Sequence, residues 1–369
     1  MSSWVSEWQA VAATGVCYFT RPPGRGHGHV MRSIHTVAIS FQTVIWLACA
    51  MLIADARAVS VPDLYEAEVP VESQSAVEHA DAVRQALAAV LVRVTGRPGM
   101  AADPALSGLL EKAENFVQQS GYTADDMLRV GFDGAALRDA LLDAGQPVWG
   151  SERPATVLWL AFDSGAGRRT LIGADSDSDV VELLESIATL RGVPLVLPLL
   201  DSEDLSRVSF SDVWGNFDEA LLAASERYGA DAVLVGRAAR ASDGRMLVRW
   251  TQHFRGQRDE WRGSLEDGIQ RAADRYAETF APAGDRTLRA LRIDVAGIDG
   301  LRAYGAVSQF LEGLTLVQSV GVEEVNGDTI VFRVALRGEP ATLDRAISLG
   351  RMLEPVADGS ADLSYRFRP

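Results

Sequence analysis

The stretch from Ala232 to Phe254 combines two hydrophobic patterns and predicts the centre of the fold. Residues 232–239 form an almost continuous apolar run of strand length, which is typical of a strand covered on both faces. After Asp243-Gly244, a dipeptide suited to a tight hairpin, the chain alternates between apolar and polar positions. The alternation predicts a strand with Met246, Val248, Trp250 and Phe254 on its core side and Arg249, Thr251 and His253 on a side that meets water.

The residues before this sheet predict a first α/β unit over residues 59–150. The expected elements are strands at 65–71 and 128–132 and helices at 75–95, 103–116 and 133–145. Ser75 and Glu78 have the spacing of a capping box, and Gly96 supplies a helix stop. The helix from Ser75 is the strongest helical pattern in the chain.

Residues 151–283 predict a second α/β unit. The run from Gln146 to Thr156 contains two prolines and a glycine, so it predicts a linker or domain edge. The expected elements are strands at 156–162, 168–173 and 193–197 and helices at 180–190, 216–228 and 265–280. Asn216 is expected to cap its helix, with Glu219 three residues on. Alternation of strand and helix favours a largely parallel sheet, to which the stretch after residue 232 adds antiparallel strands.

Residues 284–369 predict the order β-α-β-β-α-β, which is the ferredoxin-like motif. The expected strands lie at 291–295, 317–323, 330–336 and 363–367, with helices around 304–314 and 343–349 and an Asn326-Gly327 hairpin. The predicted fold class is therefore mixed, multidomain α/β. Two α/β units with mixed parallel and antiparallel sheet precede a C-terminal ferredoxin-like unit, a motif that indicates no particular activity.

Residues 1–58 predict a leader. Ile34 to Ala54 is mostly apolar, with Met31-Arg32 before it and Ala56-Arg57-Ala58 after it, which is the pattern of a secretory signal peptide. We expect cleavage after Ala58, a start at Met31 and a periplasmic protein without a stable membrane span. The alternative is an uncleaved leader that anchors the protein in the inner membrane.

Composition excludes several classes of function. The formal net charge of −15 disfavours nucleic acid as a partner. Both cysteines, Cys17 and Cys49, lie in the predicted leader, so residues 59–369 have no thiol nucleophile, disulfide or cysteine-based zinc site. Lys112 is the only lysine, and no glycine-rich phosphate loop precedes it. We therefore predict neither a cofactor nor a metal.

Four carboxylates supply an enzymatic alternative. Asp163 ends one predicted strand, and Asp201, Glu203 and Asp204 closely follow another. If these strands are parallel neighbours, the acids gather at the carboxyl edge of the sheet, where open α/β sheets bind ligands. A metal-assisted hydrolase with acid and base carboxylates is then conceivable. Without a histidine or cysteine nearby, we favour solvated loop acids and helix caps.

Arginines cluster in the predicted antiparallel strands of this acidic chain. The cluster consists of Arg237, Arg240, Arg245, Arg249, Arg255, Arg258 and Arg262. Arginine suits bidentate contact with carboxylates and phosphates, so the cluster predicts a docking face for an acidic envelope protein or acidic polymer. The binding residues we select are Arg237, Arg249, Arg255, Arg258 and Arg262. The alternative is that these arginines form only the solvent-exposed face of an antiparallel sheet and bind no partner.

Several segments resemble a family of secreted proteins of Gram-negative bacteria, domain of unknown function 2066. They include LYEAEVPVESQS, PVWGSERPATVLWLAFD and RYGADAVLVGRA, and the likeness covers about residues 60 to 265. The resemblance implies export and no known activity. More faintly, the ADAVLVGR strand with its hairpin looks like the α/β domains of curli-export lipoproteins and penicillin-binding-protein activators, which bind other proteins. We therefore predict a non-enzymatic binding or assembly module of the cell envelope.

Overall fold

The computed structural model describes residues 63–164, 168–176, 179–240, 245–281, 287–356 and 361–368. The predicted leader and the Asp243-Gly244 turn lie outside these residues. The strands are β1 (Glu66–Pro70), β2 (Val117–Tyr122), β3 (Met127–Phe132), β4 (Thr156–Asp163), β5 (Arg169–Ile172), β6 (Leu195–Val196), β7 (Ala232–Arg240), β8 (Met246–Phe254), β9 (Gln257–Gly263), β10 (Leu288–Ala296), β11 (Val317–Asn326), β12 (Thr329–Arg337), β13 (Leu353–Pro355) and β14 (Leu363–Phe367). The helices are α1 (Ala76–Thr95), α2 (Ser107–Glu111), α3 (Gly134–Asp143), α4 (Asp179–Arg191), α5 (Ser202–Arg207), α6 (Phe210–Gly215), α7 (Asp218–Ser225), α8 (Glu266–Phe280), α9 (Leu301–Gly313) and α10 (Pro340–Leu349).

The largest sheet is built around β7, as the apolar run predicts. Its strand order is β5-β4-β7-β8-β9, and β6 pairs with β4. The pairs β4–β6 and β4–β7 are parallel, whereas β4–β5, β7–β8 and β8–β9 are antiparallel. This mixed sheet confirms the predicted fold class, because parallel strands linked through helices and antiparallel strands occur in one sheet.

Both faces of this sheet are covered by helices. On one face, Leu234 and Trp250 pack with Ile269 and Tyr276 of α8. On the other face, buried side chains of β4 and β7 pack with helices α6 and α7, and this second core contains Val157, Trp159, Val213, Leu221 and Val235. Coverage on two faces explains why β7 has no polar alternation over its first residues.

The N-terminal sheet has the order β1-β3-β2 and packs against α1. The Ser75 hydroxyl accepts a hydrogen bond from the Glu78 amide, and Gly96 ends the helix with a φ of 69°. The Glu78 carboxylate, however, faces the Glu72 amide, so only half of the predicted capping box forms. Strand β2 is absent from the sequence prediction because five of its six residues are exposed, which leaves no apolar alternation.

Two predicted helices differ from the structure. The expected helix at 103–116 is divided into two 3₁₀ turns and the short helix α2, because Lys112 adopts a non-helical conformation. The expected helix at 216–228 begins only at Asp218. Asn216 is in the left-handed region with a φ of 55°, and it ends α6 instead of capping α7. Asparagine tolerates that conformation, so the same residue type suits both kinds of cap.

The C-terminal unit has the predicted β-α-β-β-α-β order with one additional strand. Its sheet order is β11-β12-β10-β14-β13. Helices α9 and α10 contribute Val307, Leu311, Leu343 and Ile347 to a core that also contains Phe332. The extra strand β13 pairs antiparallel with β14, and β14 lies parallel to β10. Together, the described residues belong to one compact unit. Among them, no helix is both long enough and apolar enough to cross a membrane.

Candidate functional site

Three of the predicted binding arginines lie side by side across the large sheet. Arg237 on β7 stands directly opposite Arg249 on β8, and Arg249 stands opposite Arg262 on β9. Paired residues project to the same face of a sheet, so the three guanidinium groups share one face. Neighbouring strands are about 4.8 Å apart, so these residues, which we name the arginine row, extend over roughly 10 Å.

The arginine row lies beyond the part of this face that the helices cover. Arg249 and Arg262 are exposed and Arg237 is half-buried. The next residues along β8, Thr251 and His253, were expected to meet water with Arg249, and that expectation is wrong. Thr251 is fully buried, and the His253 side chain is 13% exposed because α7 packs over it, with Asp218 Oδ1 3.2 Å from His253 Nε2.

The arginine row has no ion-pair partner among the residues that the structure describes. Arg237 donates from Nη2 to the Thr251 hydroxyl at 3.1 Å, and its buried Nε lacks an acceptor. Burial lowers the pKa of the Arg237 guanidinium, and the positive charge of Arg249 lowers that pKa further. Like charges on directly opposite strand positions destabilise a sheet. The negative charges of Glu260 and Asp218 act on the pKa of Arg237 in the opposite direction, but neither carboxylate forms an ion pair with the row. The row is therefore a positively charged surface without a direct carboxylate contact among the described residues.

The other two predicted binding residues have different settings. Arg258 lies on the same face, two residues along β9 from Glu260 and four from Arg262, and it is already neutralised. Its Nε is 2.8 Å from Asp218 and its Nη2 is 2.6 Å from Glu260. Arg255 lies at the tip of the turn between β8 and β9 with a φ of 51°. The geometry thus brings Arg237, Arg249 and Arg262 together and leaves Arg255 apart.

Thr251 is a member of this site that the sequence did not reveal. The alternation placed it on the face of Arg249, but its hydroxyl serves Arg237 on the neighbouring strand. That contact depends on the pairing of Val235 with Thr251 and of Arg237 with Arg249. The pairing register of two strands cannot be read from the pattern of one strand. The sequence therefore contains no signal that would have indicated the contact between Thr251 and Arg237.

Three of the four candidate catalytic acids surround an arginine. Asp201 caps α5 by accepting hydrogen bonds from the Glu203 and Asp204 amides. Arg227 Nη1 is 2.8 Å from Asp201 and 2.8 Å from Asp204, and its Nη2 is 3.7 Å from Glu203. Hydrogen bonding to Arg227 holds the pKa of Asp201 far below its usual range. Asp201 is therefore ionised, and all three acids contact Arg227 and hold the chain around α5.

Asp204 is fully buried, and its carboxylate is saturated with donors. Its Oδ2 accepts from the Leu200 amide at 2.8 Å and from the Tyr228 hydroxyl, in addition to the Arg227 contact. Asp163, the fourth acid, is engaged with Arg169 on β5 at 3.1 Å. In the parts of the chain that the structure describes, no group of three or more acidic, histidine or cysteine side chains is arranged to hold a metal ion. The arrangement supports loop anchoring better than acid–base chemistry.

Comparison with known proteins gives one family match and corrects the resemblance drawn from sequence segments. A family model described as Domain of unknown function (DUF8605) matches residues 58–150. The resemblance to domain of unknown function 2066 over residues 60 to 265 is therefore wrong. Its quoted segments are short strand, turn and cap patterns, which recur in many α/β proteins. No curated protein matches the chain. The fainter likeness to curli-export lipoproteins and penicillin-binding-protein activators is therefore not supported by any matching protein.

Proposed function

We propose that this protein is a non-enzymatic binding or assembly module, exported to the periplasm, that captures an acidic partner through the arginine row. The observation that carries the proposal is the absence of carboxylate partners for Arg237, Arg249 and Arg262 among the described residues, in a chain whose net charge is −15. Acidic side chains are abundant enough to pair with arginines elsewhere, as at Arg227 and Arg129. The arginine row is thus available to an external acidic group, although the protein itself is acidic.

Charge and geometry both favour an acidic partner. Three guanidinium groups in one line present bidentate donors that match carboxylate or phosphate groups, and a partner relieves the repulsion within the row. An overall negative charge repels acidic molecules that approach elsewhere, so complementarity at the row selects the docking orientation. The proposed cellular site rests on the leader pattern between Met31 and Ala58.

A charge-reversal experiment tests the proposal. Arg249 and Arg262 are both changed to glutamate. The control changes Arg84 and Arg368 to glutamate, because both lie in exposed ion pairs outside the large sheet. Both double variants alter the net charge equally. Binding to immobilised polyglutamate and to a polyuronate glycan is measured over a range of salt concentrations, together with capture of partners from Gram-negative envelopes.

The row variant is expected to bind the acidic probes at least about tenfold more weakly, with a flatter salt dependence, while the control binds like wild type. Thermal unfolding of the row variant should change little, because exposed substitutions shift stability by about 0.5 kcal/mol. Equal capture by wild type and the row variant would overturn the proposal. A large loss of stability would show instead that the row is structural.

A further inference from the structure

Strand β9 presents an open backbone edge beside the arginine row. It is the last strand of the sheet and pairs only with β8 among the described residues. The turn between them has two residues, Arg255 and Gly256, both with positive φ, so Phe254 and Gln257 form a hydrogen-bonded pair. Hydrogen-bonded and non-hydrogen-bonded pairs then alternate along the hairpin. The backbone groups of Arg258, Glu260 and Arg262 consequently point away from β8.

The same three residues carry the charges of the edge. Their side chains are exposed and lie on the face of the arginine row, because Arg262 pairs with Arg249 and residues two apart share a face. The outward-facing backbone of β9 is thus flanked by a plus, minus, plus pattern. Arg258 and Glu260 already pair with each other, and Arg258 also pairs with Asp218. Arg262 is therefore the charge of this edge that lacks an ion-pair partner among the described residues, and the docking partner's other charges would join existing pairs. Edge strands often carry charge to prevent pairing with neutral chains, but a fixed pattern of charge also selects a complementary strand.

We propose that β9 accepts an additional strand from an acidic protein segment, so that the partner of the arginine row binds by extending the sheet. This inference rests on the proposed function and specifies the chemistry of the partner. Its segment is extended and carries acidic residues opposite Arg258 and Arg262, with a basic residue opposite Glu260. The acid opposite Arg262 continues the row onto a further strand, and main-chain hydrogen bonds to β9 supply the rest of the affinity.

The opposite face of β9 adds a preference for apolar residues between these charges. Trp261 is half-buried on that side, with its Nε1 donating to the Asp267 carbonyl at 3.2 Å. Asp259 is already paired with Arg275 on α8. Side chains of an added strand alternate between the two faces, so the intervening positions lie beside Trp261 and bury the exposed part of its ring. The favoured segment therefore alternates charged and apolar residues.

Synthetic peptides test this mode on the intact protein. The first peptide has blocked termini and the sequence Thr-Glu-Val-Lys-Val-Glu-Thr. The second has lysine at both glutamate positions and glutamate at the lysine position. Two further versions of the first peptide carry backbone N-methyl groups, either on the three charged residues or on the two valines. In an antiparallel added strand, only the amides of the charged residues face β9.

We expect the first peptide to bind at least about tenfold more tightly than the charge-exchanged one. Methylation of the charged residues should abolish binding, and methylation of the valines should leave it nearly unchanged. A protein variant with Arg258→Glu, Glu260→Lys and Arg262→Glu should prefer the exchanged peptide, whereas Arg255→Glu, at the turn and off the edge, should behave like wild type.

Two outcomes separate this inference from the proposed function. Equal binding of the two N-methylated peptides would overturn strand addition. If the charge reversal of Arg249 and Arg262 still weakened polyglutamate binding in that case, the proposed docking function would be retained without strand addition. If the first peptide does not bind to a protein that still binds polyglutamate, strand addition is likewise overturned and the docking function is retained. These peptide comparisons use only the wild-type protein, so they remain decisive if the triple variant fails to fold.

Discussion

The guanidinium of Arg153 lies over the indole ring of Trp149, with its Cζ 3.8 Å from the ring centroid. Both side chains are almost completely buried. Arg153 also donates to five backbone carbonyls, those of Arg93, Trp149, Gly150, Arg191 and Gly192. The carbonyls of Arg93 and Arg191 belong to the last turns of α1 and α4, where helix dipoles favour a cation. One side chain therefore ties the N-terminal unit to the large sheet.

Replacement of Arg153 by methionine should be strongly destabilising. The substitution leaves buried carbonyls without a donor and removes the contact with the Trp149 ring, while methionine fills only part of the space. We expect a loss of about 3 to 5 kcal/mol in the free energy of unfolding. Denaturant titration checks this value. The exposed Arg84→Met, on the solvent side of α1, is the control and should cost less than about 1 kcal/mol.

The position of Arg153 shows why part of the fold was not predictable from the sequence. Prolines and glycine between Gln146 and Thr156 predict a linker, and these residues do avoid helix and strand. Their burial arises from partners such as Arg93, which is 60 residues earlier in the chain. Local patterns specify the backbone conformation of such a segment. They carry no information about which distant carbonyls surround it.

The candidate site was predictable to a similar degree. The arginine cluster and the faces of β8 followed from composition and alternation, but the alignment of Arg237, Arg249 and Arg262 is a property of strand register. The acids were harder, because Asp201 and Asp204 acquired their roles from Arg227, on a different element. Strand register decides the first site and a contact with a distant arginine decides the second, and neither can be read from local sequence patterns.

Two helical glycines should respond in opposite ways to alanine. A Cβ on Gly268 in α8 would lie 2.4 Å from the Trp250 indole, inside a packed core, whereas a Cβ on Gly305 in α9 meets no atom within 4 Å. Gly268→Ala is expected to cost about 1 to 3 kcal/mol through overpacking. Gly305→Ala should stabilise by up to about 1 kcal/mol, because alanine favours the helix. Parallel thermal unfolding curves give both signs, and equal shifts would contradict this account of packing.

Tyr276 should make the protein sensitive to alkaline pH. Burial raises the pKa of its hydroxyl to about 12, and the hydroxyl is 2.8 Å from Thr156 Oγ1. A tyrosine in the unfolded chain titrates near pH 10, so the unfolded state loses this proton first as the pH rises. The stabilisation by neutral Tyr276 is complete below about pH 10 and is lost as the pH rises through about 12.

The matching experiment is denaturant unfolding of wild type and Tyr276→Phe at several alkaline pH values. The pKa of Tyr228 is also raised to about 12 by burial, so Tyr228 makes a similar contribution to the pH dependence of stability. The unfolding free energy of wild type should therefore fall more steeply with pH than one titrating proton alone would give. Removal of the Tyr276 hydroxyl should lower the slope by about 1.4 kcal/mol per pH unit in this window. Identical slopes for the two proteins would show that Tyr276 titrates normally.

Asp204 provides the sharpest test of whether the strand-end acids are structural or catalytic. Its carboxylate is fully buried and receives bonds from Arg227, Tyr228 and Leu200, so Asp204→Asn leaves Arg227 with reduced compensation and turns one acceptor into a donor. We expect a loss of about 2 to 4 kcal/mol in the free energy of unfolding. Asp163→Asn, which weakens a pair with the largely exposed Arg169, should cost less than about 1 kcal/mol.

Calorimetry with divalent metal ions completes the comparison. If the acids serve only structure, wild type, Asp163→Asn and Asp201→Asn should all give the same heat of dilution. Metal binding that disappears in both variants would instead support the hydrolase, because it would require Asp163 and Asp201 to act on one ion despite their separate arginine partners. A destabilised Asp204→Asn protein together with flat titrations would assign these carboxylates to the anchoring of α5.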